Sequence, residues 1–381
     1  MTLYAIPQPA DPQSLLAAYG VRSGGIAIMA EKMELLYVHI HDLKTPAANI
    51  LKQDALSIGA ELAVPGGVVT CETDRVDCLL IGSRKHIRQL ARKAATQAFG
   101  LRDVARALTR LLSPRSQYPI RIMGVVNANT DSFYAGSRFV AEAAVERMEA
   151  MMAEGAQIID VGGVSSRPGS RPVSPAEELA RVRPICDAVA RKNLHEQALF
   201  SIDSDTPEVI AYALEHGFGL INDITGTRNP AVIDLAVRHG AALCIMHMQG
   251  EPQTMQSDPR YTDVTAEVDA FFGERIAACT ARGLPRDRII LDPGIGFGKT
   301  LAHNLALLRN LRQFSHHGAE ILVGASRKSM IDAIVPAPVD ARLPGTLALH
   351  LRALEHGATI LRCHDVAEHA QAVAVWEALR S

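Results

Sequence analysis

Beyond residue 120 the chain alternates between short unbroken apolar runs and stretches whose apolar residues recur every three or four positions. The runs begin at Arg121 (RIMGVV), Gln157 (QIIDVGG), Leu199 (LFSID), Gly219 (GLINDI), Ala242 (ALCIMHM), Arg288 (RIILDPG), Glu320 (EILVGAS) and Thr359 (TILRCHD). An unbroken run of this length predicts a strand buried on both faces. The periodic stretches between most of them, such as Val140 to Glu154, Pro207 to His216 and Val264 to Arg282, predict helices. Strands alternating with helices imply a parallel sheet covered by helices, and eight such units in about 260 residues have the size of a closed (β/α)8 barrel. An open doubly wound sheet is the alternative. Polar residues weigh against it, because nearly every run ends in a group capable of chemistry: Asn127, Asp160, Asp203, Asn222 with Asp223, His247, Asp292, Ser326 with Lys328, and Arg362 with His364. A barrel gathers all those ends at one mouth, whereas an open sheet spreads them along an edge.

Ahead of this repeat, apolar runs at Ala27 to Ile40 and Asp77 to Gly82 are separated by helix-like segments, Ala47 to Ile58 and His86 to Ala95. They predict a smaller N-terminal α/β domain of about 110 residues, followed by the helix-like Leu101 to Leu112. The segment SPRSQYP then breaks helix and marks a linker. The expected domains are 1–115 and 116–381. The first has no recognisable nucleotide motif, so barrel support, self-association and partner binding all stay open as its role.

The composition, 48% hydrophobic and 21% charged over 381 residues, suits two cores. A net charge of -2 with interspersed signs provides no basic surface for a nucleic-acid backbone. The start, MTLYAIPQPADP, lacks a basic segment leading into an apolar run, and no apolar stretch reaches about twenty residues, so no membrane partner and a cytoplasmic location are expected. The six cysteines are scattered without close pairs and read as buried small apolar residues.

Asp203 and Asp292, with Asn222 beside them, could bind a flat heterocycle with an amidine-like edge, since a carboxylate accepts two parallel N–H donors from such an edge. SRKS (Ser326 to Ser329) and RCHD (Arg362 to Asp365) fall after strands seven and eight, where these barrels frequently hold phosphate. Arg327, Lys328, Arg362 and His364 would supply its cationic and donor groups. In DPGIGFGK, Gly294, Gly296 and Gly298 allow tight turns close to a flat ligand, with Phe297 available to stack on it. Neither a Ser-His-Asp order nor a Glu/His metal cluster stands out, and His303, His316 and His317 read as capping or surface residues.

The segments IMGVVNANTDSF, VGGVSSRPGS, FSIDSDTPEV, INDITG, MHMQGEPQTMQ, LDPGIGFGK, LVGASRKSMI and LRCHDVAE resemble dihydropteroate synthases in order and approximate spacing. The resemblance implies condensation of 6-hydroxymethyl-7,8-dihydropterin pyrophosphate with p-aminobenzoate, release of pyrophosphate, Mg²⁺ on the leaving group, and a homodimer. It implies that Asp203, Asn222, Asp292 and Lys328 hold the pterin, with Met246 and Phe297 lining its pocket. Asn127, Arg362 and His364 would hold pyrophosphate, with Asn127 also at the metal. Phe133, Ser166, Arg167 and Ser326 would form the p-aminobenzoate site. Asp203, Lys328, Arg362 and His364 would carry the catalysis. Two loops depart from the family pattern: NANTDSF stands where NVTPDSF is usual, and GGVSSRPG has Val164 in place of an acid and Ser166 in place of Thr. Corrinoid methyltransferases share the pterin-binding barrel but do not need the SRK and RxH pair.

Overall fold

In the computed structural model, residues 3, 9, 11–112, 118–128, 137–164 and 173–379 are described, without the side chains of 137–141. Residues 113–117, 129–136 and 165–172 lie outside the described residues, and with them Phe133, Ser166, Arg167 and most of the linker and of both departing loops. Two units are distinguished: Met1–Pro114 with Glu377–Ser381, and Arg115–Trp376.

The first unit begins with two helices, α1 (Pro12–Ala18) and α2 (Ser23–Met33), and continues through β1 (Leu35–Lys44), α3 (Thr45–Leu56), β2 (Glu61–Ala63), β3 (Arg75–Ser83), α4 (Arg84–Ala94) and α5 (Leu101–Leu111). Its strands pair antiparallel in the order β1-β3-β2. Alternate residues of β3, among them Val76, Cys78 and Leu80, join Leu51 of α3, Leu90 of α4 and Leu108 of α5 in one core. The run Ala27 to Ile40 is therefore not one strand. Its first part, rich in Ala and Met with Glu and Lys, completes α2, and only LLYVHI, with its aromatic and β-branched residues, is extended.

The second unit closes eight parallel strands into a barrel: β4 (Arg121–Asn127), β5 (Ile158–Gly162), β6 (Leu199–Asp203), β7 (Leu220–Asp223), β8 (Ala242–Met246), β9 (Ile289–Asp292), β10 (Glu320–Val323) and β11 (Ile360–Cys363). Each begins within one residue of the apolar run that predicts it. The helices that follow are α6 (Ser137–Ala153), α7 (Pro175–Arg191), α8 (Pro207–Glu215), α9 (Pro230–His239), α10 (Val264–Ala281), α11 (Leu301–Arg309), α12 (Ser329–Ile334), α13 (Leu343–Glu355) and α14 (Val366–Ala378). Several start at built caps. Ser174 accepts from Glu177 N, Asp263 from Thr265 N and Ala266 N, and Thr300 forms a capping box with His303.

Because side chains alternate across a strand, each strand feeds two cores. One set, including Ile159, Phe200, Ile202, Ile221, Ile245, Leu291 and Val323, packs outward among residues of the surrounding helices. The other set, Met123, Ile158, Leu220, Cys244, Ile290, Leu322 and Ile360, fills the barrel interior as one apolar layer. Near its N-terminal end, Arg121 of β4 and Glu320 of β10 form an ion pair of 2.6 Å. Toward the C-terminal ends, the same inward alternation carries polar groups.

Candidate active site

Two residues beyond the apolar layer, the inward positions are Asp160 on β5, Asn222 on β7, Met246 on β8, Asp292 on β9 and Arg362 on β11, with Asp203 four beyond Leu199 on β6. The register sets Asn127, Gly162, Asp203 and Asn222 side by side on consecutive strands, and Met246 beside Asp292. A barrel that had only to fold would put apolar side chains here, since buried charge is costly. This layer instead concentrates it.

Arg362 joins two carboxylates, donating from Nε to Asp160 Oδ2 and from Nη2 to Asp203 Oδ2, each at 2.7 Å. Asn222 Nδ2 donates to the same Asp160 oxygen at 3.0 Å. The other Asp160 oxygen is buried without a partner among the described residues, an acceptor with its hydrogen bond unmade. Burial raises the Asp203 carboxyl above its ordinary range, opposed by Arg362, and Asp160 and Glu178 push the same way as burial. Behind it, the buried Glu178 of α7 accepts from Ser204 Oγ and Thr206 Oγ1, both at 2.6 Å, and so ties the segment after β6 to that helix.

Asp292 is buried, and its Oδ1 accepts from Gly294 N at 2.7 Å. Burial raises its carboxyl, opposed first by Lys328. Lys328 arrives from the segment after β10, donates from Nζ to Ile295 O, and stands 4.4 Å above the Phe297 ring. Burial pulls its ammonium down to about 8 against the attraction of Asp292. Lys328 thus has both a carbonyl and an aromatic face as partners. Phe297 also packs against the small apolar cluster of Met246, Met248 and Met255.

The glycine-rich segment is fastened to the strand beside it. Lys299, also buried, donates to His247 O at 3.1 Å and Phe297 O at 2.8 Å, while Asn304 Oδ1 accepts from Gly296 N at 2.7 Å. Gly294 has φ +66°, and a Cβ there would lie 2.0 Å from His247 O. Backbone cannot yield as a side-chain tip can. Gly294→Ala is therefore expected to lower the thermal midpoint measurably and abolish binding at Asp292; a variant with normal melting and ligand affinity would refute this reading of the turn.

Ser326 Oγ shares a 2.9 Å hydrogen bond with His364 Nδ1 and accepts from His364 N, so Ser326 stands with the group read as the anion site. Arg327 does not serve that site. Asp365 fills its guanidinium fork at 3.0 and 2.5 Å, so its charge is spent on joining the segments after β10 and β11. Asp223 is likewise structural, accepting from Thr225 N, Thr225 Oγ1 and Thr227 N. Asn127 ends β4 with an exposed side chain. His303 does cap α11, but His316 and His317 are partly buried against Asp269 rather than lying on the surface.

His247 packs edge-on to Phe271, and burial drives it down to about 3; His350 on α13 is held well below its ordinary range, also by burial. Both are neutral when folded and take up protons when unfolded. Stability is complete above the unfolded histidine value near 6.5 and falls as pH drops below it, by about 1.4 kcal/mol for each histidine at pH 5.5. Urea midpoints at pH 7.5 and 5.5 test this. Because burial raises the Asp203 and Asp292 carboxyls, which act in the opposite direction, the deciding comparison is with His247→Gln, whose midpoint should fall less than the parent's between these pH values; an equal fall would mean that His247 is charged in the fold.

Asp160, Lys299 and Glu178 are the contributors that motif reading leaves without a role. Asp160 could have been found from the alternation Ile158, Asp160, Gly162, which points its carboxyl inward. Lys299 had the weaker signal of a lysine closing a glycine run. Glu178 had none, since only helix packing brings it behind β6.

Residues 123–364 match the family of pterin binding enzymes. The chain is 43% identical over 261 residues to a dihydropteroate synthase of Escherichia coli, covering 68% of this chain and 92% of that protein. It is 37% identical over 352 residues to a bifunctional dihydropteroate synthase/dihydropteroate reductase of Helicobacter pylori, covering 92% of each. The solved dihydropteroate synthase of Xanthomonas albilineans with 4-aminobenzoic acid superposes with a TM-score of 0.64 at 37% identity, covering 70% of this chain and 94% of that one. Among the described residues no helix is long and apolar enough to cross a membrane. With this barrel, this mouth and these relatives, the chain belongs to the pterin-binding enzymes as a dihydropteroate synthase, the transferase of folate biosynthesis that condenses 6-hydroxymethyl-7,8-dihydropterin pyrophosphate with p-aminobenzoate and releases pyrophosphate.

Proposed function

We propose that the mouth divides the pterin substrate between two groups of residues. Asp292, Asn222, Asp160 and Lys328 take the polar edge of the pterin, and Met246 and Phe297 wall its faces. His364 and Arg362 take the diphosphate, with Ser326 beside them, bonded to His364. The observation that carries this reading is the buried layer of Asp160, Asn222 and Asp292, in which the Asp160 Oδ1 acceptor has no partner among the described residues.

In the reaction, the bond from the pterin methylene carbon to the diphosphate oxygen breaks, and the same carbon bonds to the arylamine nitrogen, which gives up a proton. The electron-rich pterin can carry positive charge as the leaving group departs, so the site has to stabilise charge more than supply a strong base. Asp203, beside Arg362, lies where a carboxylate can stabilise a cationic pterin. Arg362 and His364 stabilise the departing diphosphate, and the aminobenzoate side falls to Ser326 with Phe133, Ser166 and Arg167.

Mg²⁺ takes few protein ligands and completes its shell from phosphate oxygens and water. A single exposed amide oxygen at Asn127, on the rim beside the polar layer, suits that donor set. When bound, the ion would neutralise charge on the diphosphate oxygens. A homodimer and a cytoplasmic location complete the reading.

The division is tested by calorimetry with two probes. Asn222→Ala is expected to weaken binding of 6-hydroxymethylpterin and spare inorganic pyrophosphate with Mg²⁺; His364→Ala should do the reverse. Equal losses of both probes in either variant would overturn it.

A second activity is favoured by one observation. The match to the Helicobacter pylori protein extends over 92% of this chain, well into the N-terminal unit, whereas the Escherichia coli synthase matches 68%. We infer that this chain also reduces dihydropteroate, adding a hydride and a proton across a C=N bond at the expense of a reduced nicotinamide or flavin nucleotide. Incubating dihydropteroate with either donor and finding no product two mass units heavier would exclude it.

A further inference from the structure

Beneath the segment after β10 lies a hydrogen-bonded chain of two histidines that none of the roles above uses. Ala325 N donates to His350 Nε2 at 3.0 Å, His350 Nδ1 lies 2.8 Å from His369 Nε2, and His369 Nδ1 lies 2.5 Å from Asp365 O. His350 is on α13 and His369 on α14, and both are 1% exposed. The terminal partners fix where the protons are. A backbone N–H can only donate, so His350 Nε2 is bare and its Nδ1 carries the proton. A carbonyl can only accept, so His369 Nδ1 is protonated and its Nε2 is bare. Every bond then runs in one direction, from Ala325 through both rings to Asp365, and both rings are neutral.

The ends of this chain have a function in common. Ala325 immediately precedes Ser326, Arg327 and Lys328, while Asp365 immediately follows His364. The Arg327–Asp365 ion pair joins the same two segments on their other side, and Thr346 Oγ1 of α13 accepts from Arg327 N at 2.9 Å. A closed circuit of hydrogen bonds therefore clamps the segment after β10 to the segment after β11. Ser326 and His364 meet within it.

We propose that His350 and His369 are positioning residues for the diphosphate site, acting through the backbone at Ala325 and Asp365 to hold Ser326 and Lys328 in register with His364 and Arg362. The proposal rests on the diphosphate reading of that site. Removing the acceptor leaves Ala325 N–H buried and unpaired, and the segment must shift to satisfy it. Asp292 and Asn222 hold the pterin edge from other strands, and the Lys328 ammonium is fixed separately by Ile295 O and the Phe297 ring, so that edge does not rest on the clamp alone.

The test is binding of inorganic pyrophosphate, with Mg²⁺, and of 6-hydroxymethylpterin to the full chain. In His350→Leu the pyrophosphate dissociation constant is expected to rise roughly ten-fold, with pterin binding within a factor of about two of the parent. His350→Gln, whose amide oxygen can stand where Nε2 stands, should recover most of the loss. His350→Asn, with equal polarity but shorter reach, should not. Should the leucine variant fail to fold, the comparison of Gln with Asn decides alone: equal pyrophosphate affinities would overturn the proposal. His364→Ala is the control for the underlying reading. Pyrophosphate binding indifferent to His364 would remove the diphosphate site itself, whereas binding that needs His364 but not the His350 acceptor would leave that site standing and refute the clamp.

Discussion

Asp292→Asn is expected to lower kcat/KM for the pterin substrate by roughly ten- to a few hundred-fold, the range for losing a hydrogen bond to a charged acceptor. The expected fall lies in recognition rather than folding. Asn can still accept from Gly294 N, so the turn after β9 survives. It cannot present a carboxylate to two parallel donors, and its amide N–H₂ would face them instead. Burial already raises the Asp292 carboxyl, so ionisation here opposes stability and the neutral variant should melt no lower than the parent. Melting curves and kcat/KM measured on the same preparations separate the alternatives. Unchanged kinetics would sink the assignment of Asp292, and a parallel loss of stability and activity would make it a structural residue.

Lys328→Met is expected to cost at least as much activity and to change its pH dependence. Burial brings the Lys328 ammonium down to about 8. Where the cation is required, kcat/KM holds below that pH and falls above it, by about ten-fold per unit. The variant should lack this alkaline limb. Stability should move the other way. The folded lysine binds its proton more weakly than the unfolded one, so folding is penalised below pH 8 and the penalty disappears only as pH rises toward the unfolded value near 10.4. Methionine removes it, and the variant should melt at or above the parent temperature at pH 7. An alkaline limb that persists in Lys328→Met would assign it to another group, of which Lys299, brought down to about 7 by burial, is the nearest candidate.

The barrel was legible in the sequence because its signal is local and repeated. A strand buried on both faces must be apolar throughout, and eight such runs could be located to within one residue without any contact being known. The alternation within each run also carries the inward direction of Asp160, Asn222, Asp292 and Arg362, a signal that their reading as strand-end groups did not use, since side-chain direction along a strand follows from backbone geometry alone. Where propensity and pattern disagreed, as in Ala27 to Ile40, the pattern misled.

Tertiary structure decided which of the polar groups face one another. Arg327 and Arg362 are both arginines beside predicted strand ends, yet Asp365 occupies the first while the second bridges Asp160 and Asp203. No spacing rule distinguishes them, because their partners come from elements up to 202 residues away. The same holds for Glu178 behind Asp203, for Lys328 on the Phe297 ring, and for His350 and His369, which look like two more histidines on amphipathic helices until the helices pack. Residue type and direction are fixed locally by the chain; protonation, pairing and hence chemical role depend on what closure of the barrel places within hydrogen-bonding distance.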